Sequence, residues 1–352
     1  MTKSSHGSTI MKHHTTIFVG TAGWNYDDWV GPFYPEHLPR GFSRLRFYAT
    51  FFDCVEVNST FYRHFHPMTA EKWLLETSGN PDFEFLIKLH KNFTHGTREE
   101  AEARREQLPT DTRTLKEFLK PFVEQSKLGG ILVQFSEYFR STDASRAHLS
   151  SLAETFSTYP LFIELRHISW YTDDGKKFLE DRHVHLVAVD QPVLKGMVKF
   201  LPEVLGGKGY VRLHGRNYEK WFESRKALGQ GVTLADSQRN DRYNYLYTRA
   251  ELNELEEKIS AVKERCDKLY VVANNHPLGK AAANALELVK RLRGQEKVPI
   301  PSTILQFFPE LESIAQKVPV DTVAPAPTPS PAPKRSHQHA DDGPTLFDRD
   351  KP

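Results

Sequence analysis

Short segments in which apolar residues alternate with polar ones recur along the chain up to about residue 275. This alternation is typical of β-strands whose two faces meet different surroundings. Eight such segments, each bounded by turn-forming or polar residues, predict strands. Their sequences are TIFVGTAGW, DCVEVNS, FEFLIKLH, GGILVQFS, LFIELRH, VHLVAVDQ, GYVRLHG and KLYVVANN.

Amphipathic segments between the strands predict helices. They are AEKWLLETS, TRTLKEFLKPFVEQSKL, DASRAHLSSLAETF, RAELNELEEKISAVKERC and GKAAANALELVKRLRG. Pro121 is expected to kink or divide the second of them. Alternation of strands and helices indicates a parallel sheet, and eight strands within about 260 residues predict a single-domain α/β fold, a TIM-like (β/α)8 barrel. Because no clear amphipathic segment follows NSTFY or VAVDQP, a doubly wound open sheet is the alternative.

The two ends of the chain differ in composition from its centre. Residues 1–15 are polar and are predicted to be mobile. Residues 16–318 are expected to form the folded domain, with a last helix across residues 298–316. Residues 319–352 include the Pro/Ala-rich APAPTPSPAP and then a polar stretch, which predicts a disordered tail because such a sequence cannot bury a core.

The predicted strands share one pattern of faces. The first face is aliphatic and carries Val55, Val57, Phe85, Ile87, Ile131, Val133, Ile163, Leu165, Val187, Val189, Val211 and Leu213. The second carries polar residues near the strand C-termini, namely Glu56, Asn58, Lys88, Gln134, Glu164, Arg166, Asp190, Arg212, His214 and Asn274. Active sites of TIM barrels are built at those C-terminal ends, so the pattern predicts one polar pocket. The alternative is a buried ion network that only stabilises the barrel, although apolar packing often does so equally well.

The pocket residues fit two kinds of chemistry. Glu56, Glu164, Asp190 and His214 supply three carboxylates and an imidazole, a ligand set that suits Mg, Mn or Zn. Without a metal, Glu56 and Glu164 could act as a carboxylate pair, and Lys88 as a Schiff-base nucleophile or as an anion-binding or structural lysine. The predicted catalytic residues are therefore Glu56, Lys88, Glu164, Asp190 and His214.

The cationic residues indicate the ligand. Lys88, Arg166 and Arg212 in one pocket suit a phosphate or a carboxylate. Aromatic residues beyond the strand ends predict walls that stack on bases or sugars, or else simple packing of loops, and the long segment of residues 215–247 predicts a lid or binding loop. The predicted substrate-binding residues are Trp24, Asn58, Tyr62, His95, Gln134, Arg166, Arg212, Asn274 and Asn275, with His95 as an added proton-transfer group or else an ordinary surface histidine.

The overall composition narrows the class of protein. The chain is 39% hydrophobic and 26% charged with a formal net charge of +2, so bulk charge does not point to nucleic acid or to a membrane surface. Cys54 and Cys266 are far apart and match no metal-binding spacing, which favours a reduced compartment. The N-terminal sequence lacks the apolar core of a signal peptide, and no apolar run is long enough to span a bilayer. We therefore expect a cytoplasmic protein.

The sequence GPTLFD near the C-terminus adds a separate expectation. Leu346 and Phe347 are an isolated apolar pair behind a predicted disordered linker. Such pairs often dock into a groove of a partner protein. The sequence loosely resembles the Leu-Phe end of bacterial sliding-clamp-binding peptides, without the usual Gln, and chance occurrence is the alternative explanation.

Several of these motifs together resemble the YecE-like family, a widespread bacterial and archaeal domain of unknown function. The motifs are GTAGWNYDDWVGPFYP, FFDCVEVNSTFYR, FEFLIKLHKNFTH, LVQF, IELRHISW, VAVDQP, VRLHG and VVANNHPLGKAAANA. The resemblance implies a TIM-like barrel over nearly the whole folded unit. Ala22 replaces the Ser of the family's usual TSGW motif, and Ala273 replaces an aromatic residue that commonly precedes NN, which we expect to widen the floor of the pocket.

These observations lead to two hypotheses for function. The first is a TIM-barrel enzyme whose polar pocket acts on an anionic, phosphate-like or nucleotide- or sugar-like substrate by hydrolysis or acid–base chemistry. The second is a non-catalytic ligand-binding or adaptor protein, linked to DNA metabolism through the C-terminal docking peptide.

Overall fold

The computed structural model describes residues 15–95, 101–230 and 240–319. Its parallel strands close into a barrel in chain order, with β8 pairing β1. The strands are β1 (Thr16–Ala22), β2 (Cys54–Val57), β3 (Glu84–Lys88), β4 (Leu128–Gln134), β5 (Leu161–Glu164), β6 (His185–Asp190), β7 (Lys208–Leu213) and β8 (Lys268–Ala273). The predicted TIM-like barrel is thus confirmed, and the open-sheet alternative is wrong.

Helices pack around the barrel, and several of them begin at a side-chain cap. They are α1 (Arg44–Ala49), α2 (Pro67–Glu76), α3 (Ala101–Glu124), α4 (Asp143–Thr155), α5 (Asp173–Glu180), α6 (Tyr218–Gly229), α7 (Arg249–Lys263), α8 (Lys280–Arg293) and the short α9 (Ile304–Phe307). Thr248 and Glu251 form a reciprocal capping box at the start of α7. Gly294, with φ of 64°, takes the left-handed conformation that ends α8.

Two apolar layers follow from the alternation of side chains along the strands. The inner layer fills the barrel with Phe18, Ala22, Cys54, Leu86, Leu132, Phe162, Val187, Val189, Tyr210, Tyr270 and Val272. The outer layer packs against the helices and contains the aliphatic residues predicted on β2 to β5 and on β7. Ala273 also belongs to the outer layer, next to inward-facing Val272, so the expectation that Ala273 widens the pocket floor is wrong.

Two of the predicted helical features differ in the structure. α3 is continuous from Ala101 to Glu124 and contains both Pro109 and Pro121, so Pro121 does not divide it. Residues 298–316 do not form a helix. They form β9 (Val298–Pro301), the short α9, a 3-10 helix and β10 (Ala315–Val318), with β9 and β10 paired in parallel. Three prolines in the segment cannot donate backbone hydrogen bonds, which explains why a long helix does not form there.

The link between β6 and β7 is the least regular part of the described barrel. Residues 191–207 contain no helix, as the sequence around VAVDQP indicated. Closure does not require one, because β6 and β7 pair directly from Val187 to Asp190.

The predicted ends of the chain lie outside the described residues. This holds for residues 1–14 and for residues 320–352, with Leu346 and Phe347 among them. Thr15 is described and is buried, and its hydroxyl oxygen lies 2.8 Å from each of the carbonyl oxygens of Lys263 and Cys266. Among the described helices, none combines the length and apolarity needed to cross a membrane.

Candidate functional site

Arg212 lies at the centre of the C-terminal ends of the strands, called the barrel mouth below. Its Nε and Nη2 donate to the two carboxylate oxygens of Glu56 at 2.7 and 2.6 Å. Its Nη1 donates to Glu164 and, at 2.9 Å, to Oε1 of Gln134. Tyr210 donates a further hydrogen bond to Glu56. Arg212, Glu56 and Glu164 have no exposed surface, so this bridged group forms the floor of the mouth.

The second half of the floor joins Glu164 to His214. Arg166 donates from Nε to Glu164 at 2.6 Å, and its Nη2 lies 3.1 Å from Nε2 of His214. The same Nε2 lies 3.4 Å from a carboxylate oxygen of Glu164, and the other ring nitrogen, Nδ1, lies 2.9 Å from Nδ2 of Asn274. Burial lowers the pKa of His214 to about 3, so the ring is neutral at pH 7.

The charge of Glu164 is stabilised by its neighbours. Burial by itself would raise the pKa of this carboxyl, but Arg166 and Arg212 hold that pKa well below its usual value. Glu164 is therefore ionised at neutral pH and cannot donate a proton. Because both of its oxygens already accept hydrogen bonds from arginines, it is placed to hold the floor together rather than to contact a ligand.

Asp190 does not lie in the barrel mouth. Val187 and Val189 of β6 are in the inner layer, so Asp190 points outward, opposite to the predicted facing. Its carboxylate accepts hydrogen bonds from Nε of Arg216 at 2.8 Å and Nη2 at 2.9 Å, and from the hydroxyl of Tyr247 at 3.1 Å. Asp190 thus fastens residues that follow β7 to the outside of the barrel.

The predicted metal set is not assembled. Asp190 faces away from the other three residues, and both carboxylates of the floor are already bound by Arg212. A metal bound to Glu56, Glu164 and His214 would have to displace buried guanidinium groups. Within the described residues, the group of acidic and histidine side chains close enough to share an ion lies elsewhere. The proposed Mg, Mn or Zn site at the mouth therefore does not fit these residues.

Lys88 differs from the other cations of the mouth. It is half-buried at the end of β3, and its ammonium lies 4.5 Å from the centroid of the Phe61 ring. Among the described residues it has no ion-pair partner. Burial, with the nearby charge of Arg212, lowers the pKa of Lys88 to about 7. Lys88 is therefore the group of the mouth that changes its charge near neutral pH.

His95 and Lys88 contact the same aromatic ring, that of Phe61. The ring of His95 packs edge-on against Phe61 at 5.0 Å, and its Nδ1 lies 2.8 Å from the hydroxyl of Thr94. Burial lowers the pKa of His95 to about 4, with Lys88 and Arg166 contributing in the same direction. The ring is neutral at pH 7 and can act as a hydrogen-bonding group there.

The remaining predicted substrate-binding residues include Asn58, Tyr62 and Trp24. Asn58 is half-buried beyond β2, and its Oδ1 is buried without a hydrogen-bond partner among the described residues. Tyr62 is largely exposed and packs edge-on against Phe61 at 5.0 Å. Trp24 packs edge-on against Trp73 of α2 with ring centroids 5.1 Å apart, so it holds the loop after β1 against that helix.

Asn275 is fully buried beneath the surface of the mouth. Its Nδ2 donates to the carbonyl oxygen of Tyr245 and to Oδ1 of Asn284, both at 2.8 Å. Asn275 therefore joins the end of β8 to α8 and to the segment before α7, which is a structural role.

Comparisons with known proteins agree with this architecture. Residues 18–305 match the family described as "Protein of unknown function DUF72". The chain belongs to the DUF72 family. It is 27% identical over 290 residues to the UPF0759 protein YunF of Bacillus subtilis, covering 78% of this chain and 94% of YunF. It is 26% identical over 180 residues to the UPF0759 protein YecE of Escherichia coli O157:H7, which is 58% of that protein's length. The predicted YecE-like membership is confirmed.

Solved DUF72 structures share the fold. A DUF72 family protein of Thermotoga maritima matches 80% of this chain and 100% of its own, with 32% identity and a TM-score of 0.67. A DUF72 family protein of Enterococcus faecalis matches 79% of this chain and 96% of its own, with 25% identity and a TM-score of 0.63. These similarities establish the fold. The reaction has to be inferred from the residues of the mouth.

The sequence did not single out Arg242, which this DUF72 chain places over the mouth. Its guanidinium carbon lies 4.7 Å from the centroid of Tyr243 and 5.2 Å from that of Trp221. Its Nε is buried without a hydrogen-bond partner among the described residues. The Tyr243 ring also lies 5.9 Å from His214. The only signal for Arg242 was its place in the long segment after β7, which was predicted as a lid or binding loop.

Proposed function

We propose that this protein is a TIM-barrel enzyme whose mouth binds an anionic, phosphate-like substrate, with Lys88 as its proton donor. The observation that carries the proposal is the unpaired ammonium of Lys88. Arg166 and Arg212 are balanced by Glu56 and Glu164, and Lys88 has no such partner among the described residues. A bound anion would supply the counterion that Lys88 lacks.

Arg242 strengthens the case for an anion. Like Lys88, it forms no ion pair within the described part of the chain, and its buried Nε points to no acceptor. Charge-assisted hydrogen bonds from such groups are about twice as strong as neutral ones. Two uncompensated cations at one mouth favour a ligand with more than one negative charge or with several acceptor oxygens.

The ionisation states at the mouth select Lys88 for proton transfer. The pKa values of His214 and His95 are lowered to about 3 and about 4, so neither ring is an imidazolium acid at pH 7. Glu164 is ionised because its pKa is held well below its usual value. An efficient general acid has a pKa near the working pH, and Lys88, with a pKa of about 7, meets that condition.

The carboxylate-pair mechanism finds less support. Arg212 lies between Glu56 and Glu164 and binds both, and neither carboxylate has exposed surface. A glycosidase-type pair must flank the scissile bond with one carboxyl free to act as acid. The floor therefore supports the position of the cations, and the reacting groups are those above it.

Anion binding tests the proposal without knowledge of the substrate. Calorimetric titration with pyrophosphate should show binding to the wild-type chain and at least roughly tenfold weaker binding to Lys88→Met. Lys88→Arg should retain binding because it keeps the charge, and Lys120→Met, which removes a largely exposed lysine of α3, should bind as wild type does. Equal affinity in wild type and Lys88→Met would contradict the proposal.

The same variants separate binding from catalysis once a phosphate ester is found that the protein turns over. Lys88→Arg should bind that ester and lose most of kcat, because an arginine does not release its proton near pH 7. Full activity in Lys88→Arg would leave Lys88 as an anion-binding residue and refute its role as the acid.

A further inference from the structure

We propose that His64, His90 and Asp111 form a binding site for a divalent transition-metal ion of the zinc class. His64 lies between β2 and α2, His90 lies two residues after the end of β3, and Asp111 lies on α3. One ligand atom from each residue lies within 4.8 Å of the other two, and His64 Nε2 is 2.9 Å from Asp111 Oδ1. Two imidazoles and a carboxylate are a ligand set that suits such ions. This inference does not depend on the function proposed for the mouth.

The surroundings of Asp111 resemble those of a supported metal ligand. The residue is 1% exposed, and Nδ2 of Asn92 donates to its Oδ2 at 2.7 Å. Nε2 of Gln107 donates to its Oδ1 at 3.1 Å. Side-chain amides that hold a carboxylate in this way fix its orientation for an ion. A buried carboxylate held by two amides and by one partly exposed histidine also gains from a nearby positive ion.

The two histidines provide one fixed and one adjustable ligand. His90 is buried, and its Nδ1 accepts a hydrogen bond from the backbone N–H of Asn92 at 3.3 Å, so Nε2 is the nitrogen that it would present to an ion. His64 stacks on His90 with ring centroids 4.4 Å apart and an angle of 27°. Nearly parallel rings cannot both aim at one ion, so binding requires His64 to tilt. His64 is free to do so because its side chain is 32% exposed.

Binding would exchange one interaction for another. The hydrogen bond from His64 Nε2 to Asp111 is replaced by bonds from both residues to the ion, and the Nε2 proton of His64 is released to solvent or moves to Nδ1. Three protein ligands leave a fourth position for water on the exposed side of His64. The ion would tie together the two loops that follow β2 and β3 and the helix α3.

Titration of the metal-free full-length chain with Co(II) and Zn(II) tests the site. We expect about one equivalent of Co(II) to give the intense visible absorption of a low-coordinate nitrogen–oxygen site, and Zn(II) to displace it. His64→Gln should weaken Zn(II) binding at least roughly tenfold, measured by competition with a chromophoric chelator, and should abolish the absorption. This variant is preferred because its side chain is partly exposed, so the fold should persist.

Controls address the other histidines, since the chain has 16. His37→Gln removes an exposed histidine elsewhere, and the double variant His13→Gln/His14→Gln removes the adjacent pair near the N-terminus. Both should bind Zn(II) as wild type does, and Zn(II) should raise the Tm of wild type but not of His64→Gln.

The proposal is overturned by any of three results. These are no Co(II) absorption in wild type, unchanged Zn(II) affinity in His64→Gln, or loss of binding in the His13/His14 double variant. His90→Gln, checked for folding by circular dichroism, gives an independent measure of the second ligand. If it folds and still binds Zn(II) with wild-type affinity, the assigned set is wrong.

Discussion

At the scale of single residues, Arg212 is the shared counterion of the two buried carboxylates in the barrel floor. It binds two carboxylates that have no exposed surface and also the amide of Gln134. A buried group of charges is weak evidence for stability in itself, but removing one partner leaves the others uncompensated. The sequence predicted that these residues would meet, because each strand end carried a polar side chain on the inner face. It could not predict that the carboxylates would be fully engaged, since the pairing depends on the stagger between strands.

Replacing Arg212 by Met tests this role. Glu56 and Glu164 would remain buried without their shared counterion, so the free energy of unfolding should fall by about 3–5 kcal/mol. Urea unfolding at pH 7 measures the change. As a control, Lys120→Met removes an exposed lysine 3.7 Å from Glu124 and should alter stability by less than about 1 kcal/mol. An Arg212→Met variant as stable as wild type would show that the floor is not held by this residue.

Lys88 gives a prediction for the pH dependence of stability. Its folded-state pKa of about 7 lies below the ordinary lysine value of 10.5, so the folded chain binds fewer protons than the unfolded chain between these two pH values. Its contribution to the free energy of unfolding therefore rises with pH across this window, and the full cost of burying the ammonium applies below it. Lys88→Met should be more stable than wild type at pH 6.5 and lose that advantage towards pH 10.5.

Denaturant unfolding at a series of pH values measures this difference. Lys120→Met provides the control, because it removes a largely exposed lysine of α3. A constant difference for Lys88→Met would mean that the pKa of Lys88 is not lowered by folding.

The strand β6 shows where sequence reasoning failed at the scale of elements. Leu186 to Val189 are apolar on both faces, so alternation could not reveal which face points inward. The error placed Asp190 in the mouth, whereas the same reasoning succeeded for β2 to β5 and β7, whose polar residues near the C-terminal end do lie on the inward face. The prediction of a helix across residues 298–316 was wrong for a related reason. An apolar pattern over a short segment does not distinguish a helix from short strands.

Asp190→Asn tests the outward role of β6. Loss of the carboxylate charge weakens the bonds to Arg216 and Tyr247, and the free energy of unfolding should fall by about 1–3 kcal/mol. Hydrogen exchange of residues 240–247 should become faster. Asp174→Asn is the matched control, because Asp174 is largely exposed and pairs with Arg146 at the surface. Unchanged exchange in Asp190→Asn would remove Asp190 from the anchoring of this segment.

The whole molecule consists of a packed barrel with the candidate binding residues gathered at one end. Strand count, strand order and family were readable from sequence, because the hydrophobic period and the motif series extend over most of the chain. The reacting groups were only partly readable. Lys88 and His95 were predicted, but Arg242 lies in a long segment whose path over the mouth depends on tertiary packing. Most of the charged residues at the strand ends form a floor in which positive and negative charges balance. The ammonium of Lys88, above this floor, has no counterion among the described residues.

Removing residues 320–352 tests whether the barrel is sufficient for ligand binding. Every contact described at the mouth comes from residues 15–95, 101–230 and 240–319, so the shortened chain should bind pyrophosphate with wild-type affinity and retain its Tm. Calorimetric titration and thermal unfolding give both values. A tenfold loss of affinity would place part of the anion site in the removed segment, contrary to this account.

The pKa of Lys88 itself tests the central claim most directly. NMR of the full chain with labelled lysine side chains, assigned by comparison with Lys88→Arg, gives the titration of this amine. We predict a pKa of about 7 for the free protein and a higher value with saturating pyrophosphate, because a bound anion stabilises the ammonium. An ordinary lysine pKa that pyrophosphate leaves unchanged would contradict both the unpaired charge and the anion-binding mouth.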